Sequence, residues 1–121
     1  MLDHIGLTAT DLDRSKTFYD QALAAVGITV VMSGGGALGY GSQDRPYFWI
    51  GAGGPATGRL HVAFTAEDRA SVDAFYAAAL AAGGRDNGPP GIRADYHPNY
   101  YGAFVLDPDG HNIEAVCHRP E

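Results

Sequence analysis

The chain contains its own opening twice. His4-Ile5-Gly6-Leu7-Thr8-Ala9 returns as His61-Val62-Ala63-Phe64-Thr65-Ala66. The match runs on without a gap through Asp11 and Asp68, Phe18-Tyr19 and Phe75-Tyr76, Ala22-Leu23 and Ala79-Leu80, and Gly27 and Gly84. A repeat at a fixed offset of about half the chain predicts two copies of one folding unit. It also sets one histidine, His4 or His61, at the same point of each copy's first strand. A pseudo-twofold between the copies can bring such a pair together.

Each copy opens with an alternating strand. Over residues 2–9, Ile5 and Leu7 point one way and His4, Gly6 and Thr8 the other. In the second copy Leu60, Val62 and Phe64 oppose His61, Ala63 and Thr65. A helix follows, with Thr10 or Asp11 able to cap the first and Asp68 the second. Ser15, Phe18, Tyr19, Ala22, Leu23 and Val26 recur at helical spacing, as do Val72, Phe75, Tyr76, Ala79 and Leu80. Gly27 and Gly83-Gly84 stop the two helices.

Three short strands are then predicted near residues 28–32, 37–40 and 47–50, with glycine-rich turns between them. Residues 51–58, rich in Gly and Pro, read as the linker between the copies. In the second copy residues 86–99, with Pro89-Pro90-Gly91, read as mostly loop. Strands at 101–106 and 111–117 close the chain around the turn Asp107-Pro108-Asp109-Gly110. The predicted fold is α+β: one domain, 1–121, of two tandem βαβββ modules at 1–54 and 59–121. The modules are expected to form a cup-shaped mixed sheet with helices on its outer face and both histidines inside.

Composition narrows the function. A chain of 121 residues can bury a core of its own. The net charge of −6 and the single lysine, Lys16, leave no basic footprint for nucleic acid. No apolar run approaches the roughly 18 residues of a membrane span, and the opening lacks the pattern of a secretory leader. The single Cys117 has no internal partner, so a reducing, cytoplasmic setting is expected.

The last strand supplies the chemistry. Ile113, Ala115 and Cys117 alternate with Asn112, Glu114 and Val116, which puts Glu114 on the cup side among apolar neighbours. A carboxylate there is costly unless it is paired, hydrogen-bonded or metal-bound. His4, His61 and Glu114 together make two imidazoles and a carboxylate, a donor set for one divalent transition metal with open positions left over. Cys117 falls on the packing face and reads as a small buried hydrophobe. His111, beside the turn, is expected to be exposed. His118, near the C-terminus, is expected to be solvated, although its parity is that of the cup side. Gly34-Gly35-Gly36 lacks the lysine and helix of a phosphate loop.

These residues resemble the vicinal oxygen chelate superfamily, which includes glyoxalase I, bleomycin-resistance proteins, fosfomycin-resistance thiol transferases and extradiol dioxygenases. The resemblance covers nearly the whole chain. It rests on Asp3-His4-Ile5-Gly6-Leu7, His61-Val62-Ala63-Phe64 and Asp107-Pro108-Asp109-Gly110-His111-Asn112-Ile113-Glu114. It implies paired βαβββ modules around a metal, with His4, His61 and Glu114 at the ligand positions. Aligning the module ends puts Trp49 where glyoxalase I carries a further Glu ligand, and an indole cannot ligate. Gly6 stands near the threonine position of the thiol transferases. The extradiol pattern is met by His97, by Asp107-Pro108-Asp109-Gly110 and by Glu114, but its Tyr is replaced by Phe104. Tyr100 or Tyr101 would have to supply that hydroxyl.

The resemblance thus implies an enzyme using one divalent ion (Fe, Mn, Zn or Ni) on a small molecule with vicinal oxygens. Extradiol-dioxygenase-like chemistry is favoured, with His97 as acid/base and Tyr100 or Tyr101 assisting. A glyoxalase-like lyase is the near alternative. A metal-free cup that sequesters an aromatic drug against Trp49 and Phe104 is a third. A homodimer is expected, since short chains of this family usually pair two copies and an open sheet edge invites association.

Overall fold

The computed structural model describes residues 2–53 and 60–121. Most of the predicted linker, and with it the predicted module boundary, lies outside the described residues. The first copy folds as β1 (Ile5–Ala9), α1 (Leu12–Ala24), β2 (Thr29–Gly34), β3 (Ala37–Ser42) and β4 (Arg45–Ala52). The second folds as β5 (His61–Thr65), α2 (Arg69–Ala81), β6 (Arg85–Asp86), β7 (Gly91–Ile92), β8 (Tyr101–Leu106) and β9 (Asn112–Cys117).

Both helices start at an aspartate. The Asp11 carboxylate accepts the Arg14 N–H and that of Asp68 accepts the Ser71 N–H, so one otherwise unmatched amide of each first turn is satisfied. Asp11 therefore takes the cap that Thr10 could have filled. Gly35 and Gly36 turn the β2–β3 hairpin with positive φ, at 61° and 78°. The glycine run is a tight hairpin turn, whose backbone only Gly adopts cheaply.

The chain is an α+β protein with two open, mixed sheets. Their strand orders are β1-β4-β3-β2 and β5-β9-β8-β6, with β7 also paired to β8. β1 runs parallel to β4 and β5 parallel to β9. Module two departs most from module one at the strand after the helix. The six-residue β2 has only the two-residue strands β6 and β7 as its counterpart. Pro89 and Pro90 lie between them, and proline has no N–H to give a ladder. The segment predicted as loop is thus strapped along β8 at its start and at residues 91–92.

Each helix covers one face of its sheet. Leu7, Ala9, Leu38, Tyr40, Phe48 and Ile50 pack with Phe18, Tyr19, Ala22 and Leu23 of α1. Phe64, Ala103, Val105, Ile113, Ala115 and Cys117 pack with Val72, Phe75 and Ala79 of α2. These are not two cores but one. The helices pack on each other, and the rings of Phe48 and Phe64 meet edge-on at 5.1 Å across the module boundary. The faces carrying His4 and His61 therefore look away from the shared core. No described helix is long and apolar enough to cross a membrane.

A polar joint locks the modules. Tyr19 of α1 donates to Asp107 of the β8–β9 turn at 2.5 Å, and the backbone N–H of Thr10 donates to the Asp109 carboxylate. Asp107 also accepts the N–H groups of Asp109 and His111. This pulls the turn inward and buries His111, whose Nδ1 accepts the Leu60 N–H at 3.2 Å. The expected exposure of His111 is thus corrected: the turn folds back under the start of β5.

Burial first, and Asp107 second, push the Tyr19 phenol well above the ordinary tyrosine range. Burial likewise raises Tyr40, which donates to Asp20. In the unfolded chain both ionise near pH 10, while the folded chain holds their protons higher. Their contribution is therefore complete below about pH 10 and is lost as the pH rises past it. Tyr19→Phe should cost about 1–3 kcal/mol in urea unfolding at neutral pH, because Asp107 loses a buried donor. It should also flatten the alkaline fall in stability. An unchanged urea midpoint would show that the joint does not hold the modules.

Candidate functional site

The pleat sets the site. On β9, Ile113, Ala115 and Cys117 face α2, so Asn112, Glu114 and Val116 leave by the other face. Glu114 is only 1% exposed there. On β5 the same parity exposes His61, Ala63 and Thr65. Ala63 is registered opposite Glu114, which brings the neighbouring His61 within reach of the carboxylate.

Both oxygens of Glu114 are occupied. His61 Nε2 lies 2.8 Å from Oε1, and the Tyr100 hydroxyl donates to Oε2. A buried carboxylate with a donor on each oxygen is stable; one left bare would cost several kcal/mol. Burial first, and the bond to Glu114 second, push the Tyr100 phenol up to about 12. Gly102 gives the approach room: a Cβ there would crowd the Tyr100 ring at 3.2 Å and Glu114 Oε2 at 3.3 Å.

Rings flank Tyr100. His118 meets it edge-on at 5.1 Å, Tyr96 at 5.1 Å, and His97 meets His118 at 5.8 Å. His97 is exposed, and its Nδ1 accepts the Asn99 N–H, so the neutral ring carries its hydrogen on Nε2. Arg69 binds the tail by donating to the Pro120 carbonyl at 2.8 Å, next to His118. Sequence reasoning left His118 out of the site; its strand parity was the one available signal. Tyr101 has the opposite parity. Its hydroxyl donates to Asp73 on α2 at 2.6 Å, away from Glu114.

Module one presents the matching face. Gly6 is registered opposite Trp49 just as Ala63 is opposite Glu114, so Trp49 is the positional equivalent of Glu114. Its indole lies over Gly39, where a Cβ would come within 2.9 Å of the ring. Phe104, opposite Glu114 on β8, has its ring 6.2 Å from that of His61. His4 does not reach Glu114. It is exposed and its Nδ1 lies 2.8 Å from Asp3.

Among the described residues no three His, Cys, Asp or Glu side chains are gathered to hold a metal ion. The chain by itself therefore unites two of the three candidate ligands. His4 and His61 do line one cavity of about 640 Å³, along β1 and β5. Each of those strands is the edge of its sheet.

The chain belongs to the glyoxalase/bleomycin resistance protein/dioxygenase superfamily, whose family model matches residues 1–115. Among solved structures, it is similar to a glyoxalase/bleomycin resistance protein from Albidiferax ferrireducens T118. The identity is 32% and the TM-score 0.85, over 98% of this chain and 99% of that one. A glyoxalase-related enzyme from Fulvimarina pelagi shares the fold at 22% identity and TM-score 0.73, over 97% of this chain and 87% of that one. A glyoxalase I mutant from Zea mays does so at 24% identity and TM-score 0.70, over 95% of this chain and 45% of that longer one. No curated protein matches the chain.

The two tyrosines should separate in unfolding experiments. Tyr100→Phe strips a donor from the buried Glu114 and should cost about 1–3 kcal/mol. Tyr101→Phe removes an exposed bond and should cost less. Equal losses would mean that Tyr100 does not support Glu114.

Proposed function

We propose that the chain is a metal-dependent enzyme acting on a small molecule with two neighbouring oxygens, in a cup completed by a second copy. The observation that carries this reading is the buried Glu114 carboxylate, flanked by His61 and Tyr100 on a face that no helix covers. His61 and Glu114 of one chain and His4 of another would hold one divalent ion, and imidazole–carboxylate sets suit Fe, Mn, Zn or Ni. Such an ion, when bound, polarises a substrate oxygen and lowers the pKa of the adjoining hydroxyl.

The chain's own residues do the rest. Tyr100 keeps Glu114 oriented by donating to Oε2. Trp49 and Phe104 wall the cup with apolar rings that can seat an aromatic substrate. His97, at the outer end of the ring cluster, is the acid/base: with the Asn99 N–H released from Nδ1, the ring can carry its hydrogen on Nδ1 and take a proton at Nε2, then return it. Extradiol-dioxygenase-like chemistry is favoured over a glyoxalase-like lyase for two reasons. Trp49 holds the position of a second carboxylate ligand, and Tyr100 brings a hydroxyl to Glu114. The open edges of β1 and β5 support the exchange of modules in a homodimer, and the lone cysteine fits a cytoplasmic setting.

Elemental analysis should find about one divalent metal per chain, and His61→Ala should lose most of it. Mixing His4→Ala protein with Glu114→Ala protein should restore one complete site per heterodimer, and with it turnover of a catechol in air. A His61→Ala variant that keeps its metal would defeat the reading. A monomer at micromolar concentration would defeat the shared cup.

One observation favours a second reading. Both Glu114 oxygens already have donors within the chain, so the face is stable with no metal. A metal-free cup that sequesters an aromatic compound would then bind its ligand, followed by Trp49 fluorescence, equally well before and after chelator treatment. A loss of binding on chelation would remove this alternative.

A further inference from the structure

The open face of module two extends past Glu114. Asn112 is registered opposite His61, and Phe104 opposite Glu114, so these four side chains leave the sheet on one side. Beyond Phe104 the residue following β7 adds Arg93. Its guanidinium carbon lies 5.3 Å from the centroid of the Phe104 ring, within cation–π range.

The arginine is held in place. Nη2 donates to the Pro89 carbonyl at 2.6 Å, and the backbone N–H donates to the Tyr100 carbonyl at 2.8 Å. Gly88 makes room: a Cβ there would come within 3.0 Å of Phe104 and 3.2 Å of the Arg93 Nη2. Acidic residues outnumber basic ones by 14 to 8 in this chain. Yet among the described residues no carboxylate stands within ion-pair distance of Arg93.

Arg93, Phe104 and Asn112 line a cavity of about 280 Å³ with Asn87, Gly88 and Tyr96. A fixed guanidinium on the rim of an open cavity, with no acid paired to it among the described residues, suits a planar anion, which its donor fork matches in two parallel bonds.

We propose that Arg93 binds a carboxylate carried by the substrate, so that the substrate is a small aromatic acid bearing vicinal oxygens. This rests on reading the open face of module two as the substrate face. Calorimetric titration with 3,4-dihydroxybenzoate and with its neutral amide separates the two claims. In chelator-treated wild-type protein the acid should bind at least about tenfold tighter than the amide. Added salt should shrink that preference. Arg93→Gln should abolish it, by weakening the acid far more than the amide.

Equal affinity for the pair, or no binding of the acid up to about 10 mM, overturns the anion subsite, and the wild-type comparison decides this even if Arg93→Gln fails to fold. A preference that survives in folded Arg93→Gln also overturns it. A repeat with Fe(II) or Mn(II) under argon tests the metal reading by itself. If metal strengthens both ligands equally and the acid has no advantage, the metal site stands and the subsite falls. If the acid is preferred but metal changes nothing, the subsite stands and the metal site falls.

Discussion

A strand turns alternate side chains to opposite faces, and each sheet here has a single helix to cover one of them. That pairing governs the rest of the molecule. Apolar residues take the helix side, and both helix sides merge through Phe48, Phe64 and the packed helices. With one shared core between the modules, the uncovered faces have to look outward. His4 and His61 lie on those faces because Ile5, Leu7, Val62 and Phe64 claim the inside.

Glu114 departs from this partition: it is a carboxylate buried on the uncovered face, where the apolar Val116 is buried too. The burial of Glu114 depends on local polar satisfaction and on side chains from other strands. Tyr100 and His61 supply the donors, and Gly102 gives Tyr100 room to approach. The equivalent point of module one carries Trp49 over Gly39. The two copies thus share a backbone and differ in chemistry: one open face is apolar with a histidine at its edge, the other is polar and charged. A duplicated fold can divide labour this way because the pleat and register are kept while any outward side chain is free to change.

Much of this was legible in the chain. The repeat announced two βαβββ modules, and both aspartate caps, the inner helix stripes and the inward face of Cys117 follow from local periodicity. Aligning the module ends puts Trp49 at the level of Glu114, and the registers Gly6–Trp49 and Ala63–Glu114 agree. Other features were out of reach. Nothing in the spacing says that His111 is drawn under β5 by Asp107, or that residues 86–92 are strapped to β8 on either side of two prolines. Adjacent tyrosines look interchangeable until strand parity sends Tyr100 to Glu114 and Tyr101 to Asp73.

The sequence by itself determined the duplicated α+β fold and the face on which His4, His61 and Glu114 would stand. Those are properties of neighbours along the chain, set by periods of two and 3.6 residues. The tertiary structure decided which side chains meet: His61 with Glu114, Tyr100 above it, Arg93 over Phe104, and His4 held apart beside Asp3. Such meetings depend on register between strands and on the path of loops. They also depend on how two modules share one core, and none of these leaves a periodic trace in the order of residues.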